Sequence, residues 1–278
     1  MKQKGLIALT VLLALAGLYC LWRYYRDAWL PNAQVQQALD AQKELFAQLR
    51  PDMEQRAGAE PTSPAPTEAA PPAGEAGDEP PPAGAETAEA EAPHPLAQLR
   101  ARNPDAVGWL SIAGTTVDYP IVQTADNEFY LHNGFDRQYN YVGCPFLDER
   151  CADGFGGFLA IVYAHHIRQE MFGDIARFRD SGYLRAHPSG ALLAEDGLHT
   201  VRFFAYLTVP SSSGVYQTEF SGQAERDAYI EALFDAAVCT QGETAQALKQ
   251  REGLRLLLLS TCTYEFADAR GVLVGVIE

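Results

Sequence analysis

A proline-rich, acidic segment, residues 57–95, most constrains how this chain can fold. Its 39 residues hold ten of the seventeen prolines and eight Asp or Glu, with no Lys, Arg, Phe, Trp or Tyr. Such a composition buries too little apolar surface to offset the entropy lost on ordering, so we expect a disordered, extended linker. The linker divides the 278-residue chain into an N-terminal arm and a C-terminal part of 183 residues, 96–278, which has the size of one domain.

The N-terminal arm begins with an uncharged apolar run, residues 5–22. Eighteen residues of helix span about 27 Å, just enough to cross the hydrocarbon core of a membrane. A cleaved signal peptide is the alternative, because Lys2 and Lys4 precede the run. However, the run ends in bulky aromatic residues rather than at a small-residue cleavage site. We therefore predict a single-pass anchor in the cell membrane, with residues 1–4 as a cytoplasmic tip and the C-terminal domain extracellular.

Residues 23–56 predict a helical stem between this anchor and the linker. Apolar residues from Asn32 to Arg50 recur mostly three and four positions apart, with Gln42 interrupting the stripe. Asn32 is a candidate cap, and Pro51 is expected to end the helix.

Charge and cysteine content exclude several function classes. The formal net charge of −15 comes from 21 Lys and Arg against 36 Asp and Glu, and it argues against nucleic-acid binding, which needs a basic face. Five cysteines are too few for a disulfide scaffold, and none forms a CxxC pair. No motif in the sequence predicts a metal site or another cofactor.

The pattern of residues 96–278 indicates mostly β-structure after a short opening helical turn. Helical spacing returns at Met171–Phe178 and Gln223–Cys239. Strands and helices do not alternate as they do in βαβ units, and this favours an all-β barrel or sandwich with helices inserted in loops. The apolar or alternating runs that predict strands are Trp109–Ile112, Thr116–Val122, Phe158–Tyr163, Leu192–Leu193, Val201–Val209, Leu254–Thr261 and Gly271–Ile277.

Three residue types at the ends of these runs suggest acyl-transfer chemistry. Cys262 follows one apolar run and Arg270 begins the next after a seven-residue loop, so a hairpin would place them opposite one another. His165 and His166 end another predicted strand, and alternation sends them to opposite faces, so geometry does not choose between them. A thiol, an imidazole and a guanidinium suffice for nucleophilic attack, proton transfer and oxyanion stabilisation. A buried structural cysteine is the alternative for Cys262.

Several separated motifs, in order, resemble the sortases, membrane-anchored cysteine transpeptidases of Gram-positive bacteria. LSTCTYEFADARGVLVG resembles their (T)LSTC signature with its strand-opening Arg, and IVYAHH resembles their histidine motif. NPDAVGWLSIAGTTVDYPIVQTADNEFYLHNGF, FLDER and MFGDI resemble class B in particular. The resemblance runs from about Leu96 to the C-terminus.

This resemblance implies a closed, mostly β barrel of about eight strands, with an N-terminal helix and a helix inserted before the last two strands. It also implies cleavage of a C-terminal sorting motif on exported proteins through a thioacyl-enzyme, and transfer to an amine of a peptidoglycan precursor or a pilin. A surface binding module without catalysis and a hydrolysing cysteine peptidase are the alternatives.

The resemblance also assigns site residues by position. Cys262 is expected to be the nucleophile, His165, the first of the two histidines, the general acid and base, and Arg270 the oxyanion-stabilising cation. The residues expected to bind the substrate are Tyr163, Ser260, Thr261, Asn127 and Leu131.

Two departures from the family pattern stand out. Ala164 replaces the glycine that usually precedes the histidine, which bears on the shape of the groove. Cys144 and Cys151 bracket the FLDER segment, where they form either a disulfide on the outer surface or two small residues in a loop.

Overall fold

The computed structural model describes residues 17–23, 30–51, 96–168 and 170–278. Residues 17–23 are helical, and within the described ranges no helix is both long enough and apolar enough to cross a membrane. The predicted cytoplasmic tip, most of the predicted anchor 5–22 and the whole predicted linker 57–95 lie outside the described residues.

The described part of the C-terminal region contains eleven strands. Several are longer than the apolar runs that predicted them, because backbone pairing continues beyond the apolar side chains. The strands are β1 Ala106–Ser111, β2 Asp118–Val122, β3 Phe146–Leu147, β4 Leu159–Tyr163, β5 His166–Ile167, β6 Glu170–Met171, β7 Ser189–Ala194, β8 Gly197–Pro210, β9 Ala237–Thr240, β10 Leu256–Cys262 and β11 Ala269–Ile277.

Eight of these strands close into a barrel, as predicted. The order is β11-β10-β4-β3-β2-β1-β7-β8, and β8 pairs back onto β11 to close the ring. The fourteen-residue β8 also carries β9 on its other side, while β5 and β6 form a separate two-stranded sheet. β4 and β10 run parallel, and β10 and β11 form an antiparallel hairpin. Closure buries the alternating apolar side chains of the strands in the core.

Helices and 3₁₀ segments occupy the connections of the barrel. Helix α2 opens the domain as predicted, and α4 and α5 lie between β8 and the final β10–β11 hairpin. The helices are α1 Leu30–Leu49, α2 Ala97–Arg102, α3 Ser181–Ala186, α4 Gln223–Asp235 and α5 Ala245–Lys249, and the 3₁₀ segments are Phe129–Leu131, Gly173–Arg179 and Gly214–Tyr216.

Two helical predictions were wrong in part. The helix predicted over Gln223–Cys239 ends at Asp235, because the residues from Ala237 leave the helix to pair with β8 as β9. The helix predicted over Met171–Phe178 is instead the end of β6 followed by a 3₁₀ segment. Met171 has a φ of 46°, which a right-handed α-helix does not accept.

Helix α1 packs on the barrel, whereas the sequence suggested a stem held apart from the catalytic domain. The ring of Phe46 is 4% exposed and makes edge contacts with Trp109, Tyr119 and Phe135, at centroid distances of 6.2, 5.8 and 6.2 Å. The folded unit therefore includes residues on both sides of the predicted linker.

Polar contacts fix how α1 lies on the barrel. Gln42, which interrupts the apolar stripe, is buried, and its Nε2 donates a 2.7 Å hydrogen bond to the Gly143 carbonyl. Arg50 pairs with Asp118 at 2.7 Å. The predicted cap, Asn32, lies inside the helix, which begins at Leu30.

We predict that Phe46→Ala lowers the free energy of unfolding by about 3–5 kcal/mol, because it removes a buried aromatic side chain and leaves a cavity. Urea denaturation of the full chain measures this loss. Gln48→Ala, on the exposed side of the same helix, is the matched control and should stay within about 0.5 kcal/mol. Equal stability of the two variants would show that the packing of Phe46 does not stabilise the fold.

Candidate active site

Strand pairing brings the three predicted catalytic residues to one end of the barrel. In the parallel pair of β4 and β10, Tyr163, the last residue of β4, lies opposite Ser260. His165 follows two residues after the end of β4, and Cys262 is the last residue of β10, two residues after Ser260. In the hairpin of β10 and β11, Cys262 lies directly opposite Arg270. The prediction that the thiol and the guanidinium face each other across a hairpin is confirmed. All three side chains line one cavity of about 600 Å³.

The structure distinguishes the two adjacent histidines. His165 lines the cavity, and its Nε2 lies 2.9 Å from the Leu131 carbonyl oxygen. Since a carbonyl oxygen only accepts, Nε2 carries the hydrogen, and Nδ1 is the basic nitrogen of the neutral ring. His166 points away, into a smaller pocket with Thr263 and Glu265, where its ring meets the edge of Tyr264 at 5.5 Å.

Hydrogen bonds tie the histidine-bearing segment to the cysteine-bearing strand. The Thr261 hydroxyl donates to the Ala164 carbonyl at 2.9 Å, and the Ala164 N–H donates to the Ser260 carbonyl at 3.2 Å. Ala164 does not have a positive φ, so its backbone does not need the left-handed conformation that favours glycine. Ser260 shares a 2.9 Å hydroxyl–hydroxyl bond with Tyr216.

All five predicted substrate-binding residues also line the cavity: Asn127, Leu131, Tyr163, Ser260 and Thr261. Ala164, which the sequence indicated would affect the shape of the groove, also lines the cavity. Four further lining residues had no predicted role, and they are Phe146, Arg150, Ser211 and Tyr216. Arg150 lies in FLDER, a motif that the sequence singled out without a role. Ser211 and Tyr216 lie in a loop after β8 that carries no motif, so no sequence signal marked them.

A buried carboxylate organises one part of the cavity wall. Asp148 is 0% exposed and accepts hydrogen bonds from Arg150 Nε at 2.9 Å, Arg150 Nη2 at 2.6 Å and the Tyr163 hydroxyl at 2.9 Å. Burial alone would raise the pKa of Asp148, but the hydrogen bonds from Arg150, Tyr163 and Asn127 hold that pKa below its usual value. Burial and the Asp148 charge raise the pKa of Tyr163, so its hydroxyl stays protonated and donates.

Arg270 is held at the rim by its own loop. Its Nη2 lies 3.0 Å from the carboxylate of Asp268, a residue with the left-handed φ of 62°. The Ser211 hydroxyl donates to the same carboxylate, and this bond is the main reason that the pKa of Asp268 is lowered. The guanidinium is therefore oriented before any ligand binds.

Two other cysteines of the domain, Cys144 and Cys151, are not suited to nucleophilic chemistry. Cys144 and Cys151 are buried and unpaired, so the disulfide alternative is not observed. Burial raises the pKa of the Cys144 thiol and raises that of Cys151 to about 11. Cys262 is half-buried and opens onto the cavity.

Comparisons with known proteins agree with this geometry. No family model matches the chain. It is 31% identical over 182 residues to a protein named Sortase B from Listeria monocytogenes, a match that covers 64% of this chain and 71% of that protein. The solved Sortase B of Clostridium perfringens superposes with a TM-score of 0.58 at 26% identity, covering 65% of this chain and 97% of that one. A Streptococcus pyogenes class B sortase, described as involved in pilus biogenesis, gives 0.57 at 25% identity, covering 65% and 96%.

We predict that Asp148→Asn lowers the free energy of unfolding at pH 7 by about 1.5–3 kcal/mol, because it removes the buried charge that accepts hydrogen bonds from Arg150 and Tyr163. The folded-state pKa of Asp148 lies below its unfolded value, so this stability is present above about pH 4 and is lost as the pH falls through the folded pKa. The difference between wild type and variant should be constant from about pH 5 to 7 and should shrink below about pH 4.

Urea denaturation at several pH values measures this difference. Asp153→Asn, an exposed carboxylate five residues away, is the matched control and should be neutral throughout. A difference that does not change with pH would show that the charge of Asp148 is not what stabilises the wall.

Proposed function

The chain belongs to the class B sortases, which are cysteine transpeptidases, and we propose that it cleaves the sorting motif of exported proteins through a thioacyl-enzyme on Cys262. The acyl group would then pass to an amine of a peptidoglycan precursor or of a pilin. The observation that carries this proposal is the strand register that brings Cys262, His165 and Arg270 into one cavity.

The first half-reaction forms the thioacyl-enzyme. The Cys262 thiol gives its proton to His165, and the sulfur attacks the carbonyl carbon of the threonine in the motif, forming a C–S bond and an oxyanion. Arg270 stabilises that oxyanion with its oriented guanidinium. The intermediate collapses by breaking the C–N bond, and His165 gives a proton to the departing amine. The acyl part of the substrate remains on the enzyme as a thioester.

The second half-reaction transfers the acyl group. The incoming amine attacks the thioester carbon, and His165 accepts a proton from it as the second oxyanion forms. Collapse of this intermediate breaks the C–S bond, regenerates the sulfur of Cys262 and leaves a new amide. If water replaces the amine, the same steps amount to hydrolysis.

The remaining cavity residues would hold the peptide. Asn127 and Leu131 come from the connection between β2 and β3, and Tyr163 comes from the end of β4. Ser260 and Thr261 come from β10. Membership of class B favours a motif of the Asn-Pro-X-Thr type. The involvement of the Streptococcus pyogenes relative in pilus biogenesis supports a pilin lysine as one of the two candidate amines.

We also propose that residues 5–22 anchor the enzyme in the cell membrane with the catalytic domain outside. The uncharged run at these positions supports this location. Protease treatment of intact cells should degrade the C-terminal domain, whereas a shielded domain would contradict the orientation.

We predict that Cys262→Ala abolishes cleavage of an Asn-Pro-X-Thr-Gly peptide library while leaving the thermal unfolding midpoint unchanged. His165→Ala should lower kcat by about 10²–10⁴-fold, because it removes the proton carrier. His166→Ala, the matched control on the opposite face, should stay within a few-fold of wild type. Cleavage by Cys262→Ala, or equal losses from the two histidine variants, would contradict the assignment.

Products formed with and without an added amine separate the alternatives. A transpeptidase gives the amine-linked peptide, a hydrolysing peptidase gives only the free acid in both cases, and a binding module gives neither. The amine-linked product is the expected result.

A further inference from the structure

Arg150 lines the catalytic cavity but takes no part in the proposed reaction. Its side chain is 45% exposed, while that of its partner Asp148 is 0% exposed. The two form a bidentate pair through Nε at 2.9 Å and Nη2 at 2.6 Å. A fully buried carboxylate thus holds an arginine that faces open space.

The bidentate pair fixes the orientation of the guanidinium. Arginine has five N–H donors in a rigid plane, and Asp148 takes those on the edge formed by Nε and Nη2. Nη1 lies in the same plane, on the side of the guanidinium away from that carboxylate. Because the side chain is already ordered in the free protein, ligand binding does not cost the entropy of ordering it.

The surroundings of Arg150 belong to the predicted peptide-binding side of the cavity. The Tyr163 hydroxyl donates to Asp148 at 2.9 Å, and the Asn127 side chain accepts from the Glu149 N–H at 2.9 Å. Phe146 lies against the Tyr163 ring, with centroids 5.5 Å apart. The FLDER motif therefore joins Arg150 to two residues that the sequence already assigned to substrate binding.

Charge indicates which acceptor these donors suit. The hydrogen bonds to Asp148 favour its ionised form, so the Asp148–Arg150 pair is close to neutral overall. A second carboxylate would meet the negative field of Asp148 as well as the guanidinium. A neutral carbonyl oxygen accepts a hydrogen bond without that opposing interaction.

We propose that Arg150 is a substrate-binding residue that donates to a neutral carbonyl oxygen of the sorting peptide, either of its backbone or of a side-chain amide. This inference rests on the proposed function and adds to it one residue and one acceptor class. Arg150 would act on binding, in contrast to Arg270, which acts on the oxyanion.

The test compares Arg150→Gln with Glu149→Gln. Glu149 is the exposed neighbour of Arg150, and its side chain does not line the catalytic cavity. Steady-state kinetics use the Asn-Pro-X-Thr-Gly peptide that wild type cleaves fastest. Arg150→Gln should raise KM by about 10- to 100-fold, the loss expected for hydrogen bonds from a charged donor, with kcat within about threefold. Glu149→Gln should leave both parameters unchanged.

Binding and salt dependence separate a contact with substrate from a structural role. In the Cys262→Ala background, Arg150→Gln should raise the dissociation constant of the same peptide by the same factor as it raises KM. The wild-type KM should change less than twofold between 0.05 and 0.5 M NaCl, because a neutral acceptor is not screened. A KM that rises steeply with salt would overturn the neutral acceptor.

The two proposals fail in different ways. If Arg150→Gln lowers the unfolding midpoint but keeps the wild-type KM and dissociation constant, Arg150 only supports Asp148 and this inference alone is wrong. If the wild-type chain neither cleaves nor binds any peptide of the library, the proposed function is wrong and this inference falls with it.

Discussion

The site depends on the parallel pairing of β4 with β10. This pairing aligns Tyr163 with Ser260, so that His165, just after β4, and Cys262, the last residue of β10, lie at the same end of the barrel. The antiparallel hairpin then sets Arg270 opposite Cys262. Because side chains alternate between faces, a one-residue slip of either register would turn a catalytic group away from the cavity. The catalytic geometry is therefore a property of the core of the barrel.

A second line of contacts connects helix α1 to the histidine. Gln42 donates to the Gly143 carbonyl, and the next residue, Cys144, donates to the Tyr130 carbonyl. Leu131 follows directly and holds His165 through its carbonyl oxygen. Gly143 has a φ of 66°, and a Cβ there would lie 2.5 Å from the Tyr130 carbonyl oxygen, so only glycine fits this crossing. A path of contacts thus runs from α1 to the carbonyl oxygen that binds His165.

The sequence predicted the parts of the site that local spacing controls. A thiol and an arginine separated by a seven-residue loop at the ends of two apolar runs already implied a hairpin with the two side chains opposed. The choice of His165 over His166 did not follow from spacing, because it depends on which face of β4 closes onto the barrel. The resemblance supplied that choice, and the contact with Leu131 gives its physical reason.

Other features could not be predicted because they depend on long-range packing. The apolar stripe of α1 was visible, but nothing local showed that Phe46 packs against rings contributed from beyond residue 96. Arg150 was visible as a charged residue in a motif, but its fixed orientation requires a buried Asp148. Ser211 and Tyr216 reach the cavity only because β8 ends beside β11.

The most direct test of the account is to locate the covalent intermediate. The full chain is mixed with the Asn-Pro-X-Thr-Gly peptide that it cleaves, quenched in acid and digested for mass spectrometry. We expect one acyl group on the peptide that contains Cys262, and its release by hydroxylamine as for a thioester. Turnover without an acyl group on Cys262, or an acyl group on Cys144, Cys151 or Cys239 instead, would contradict it.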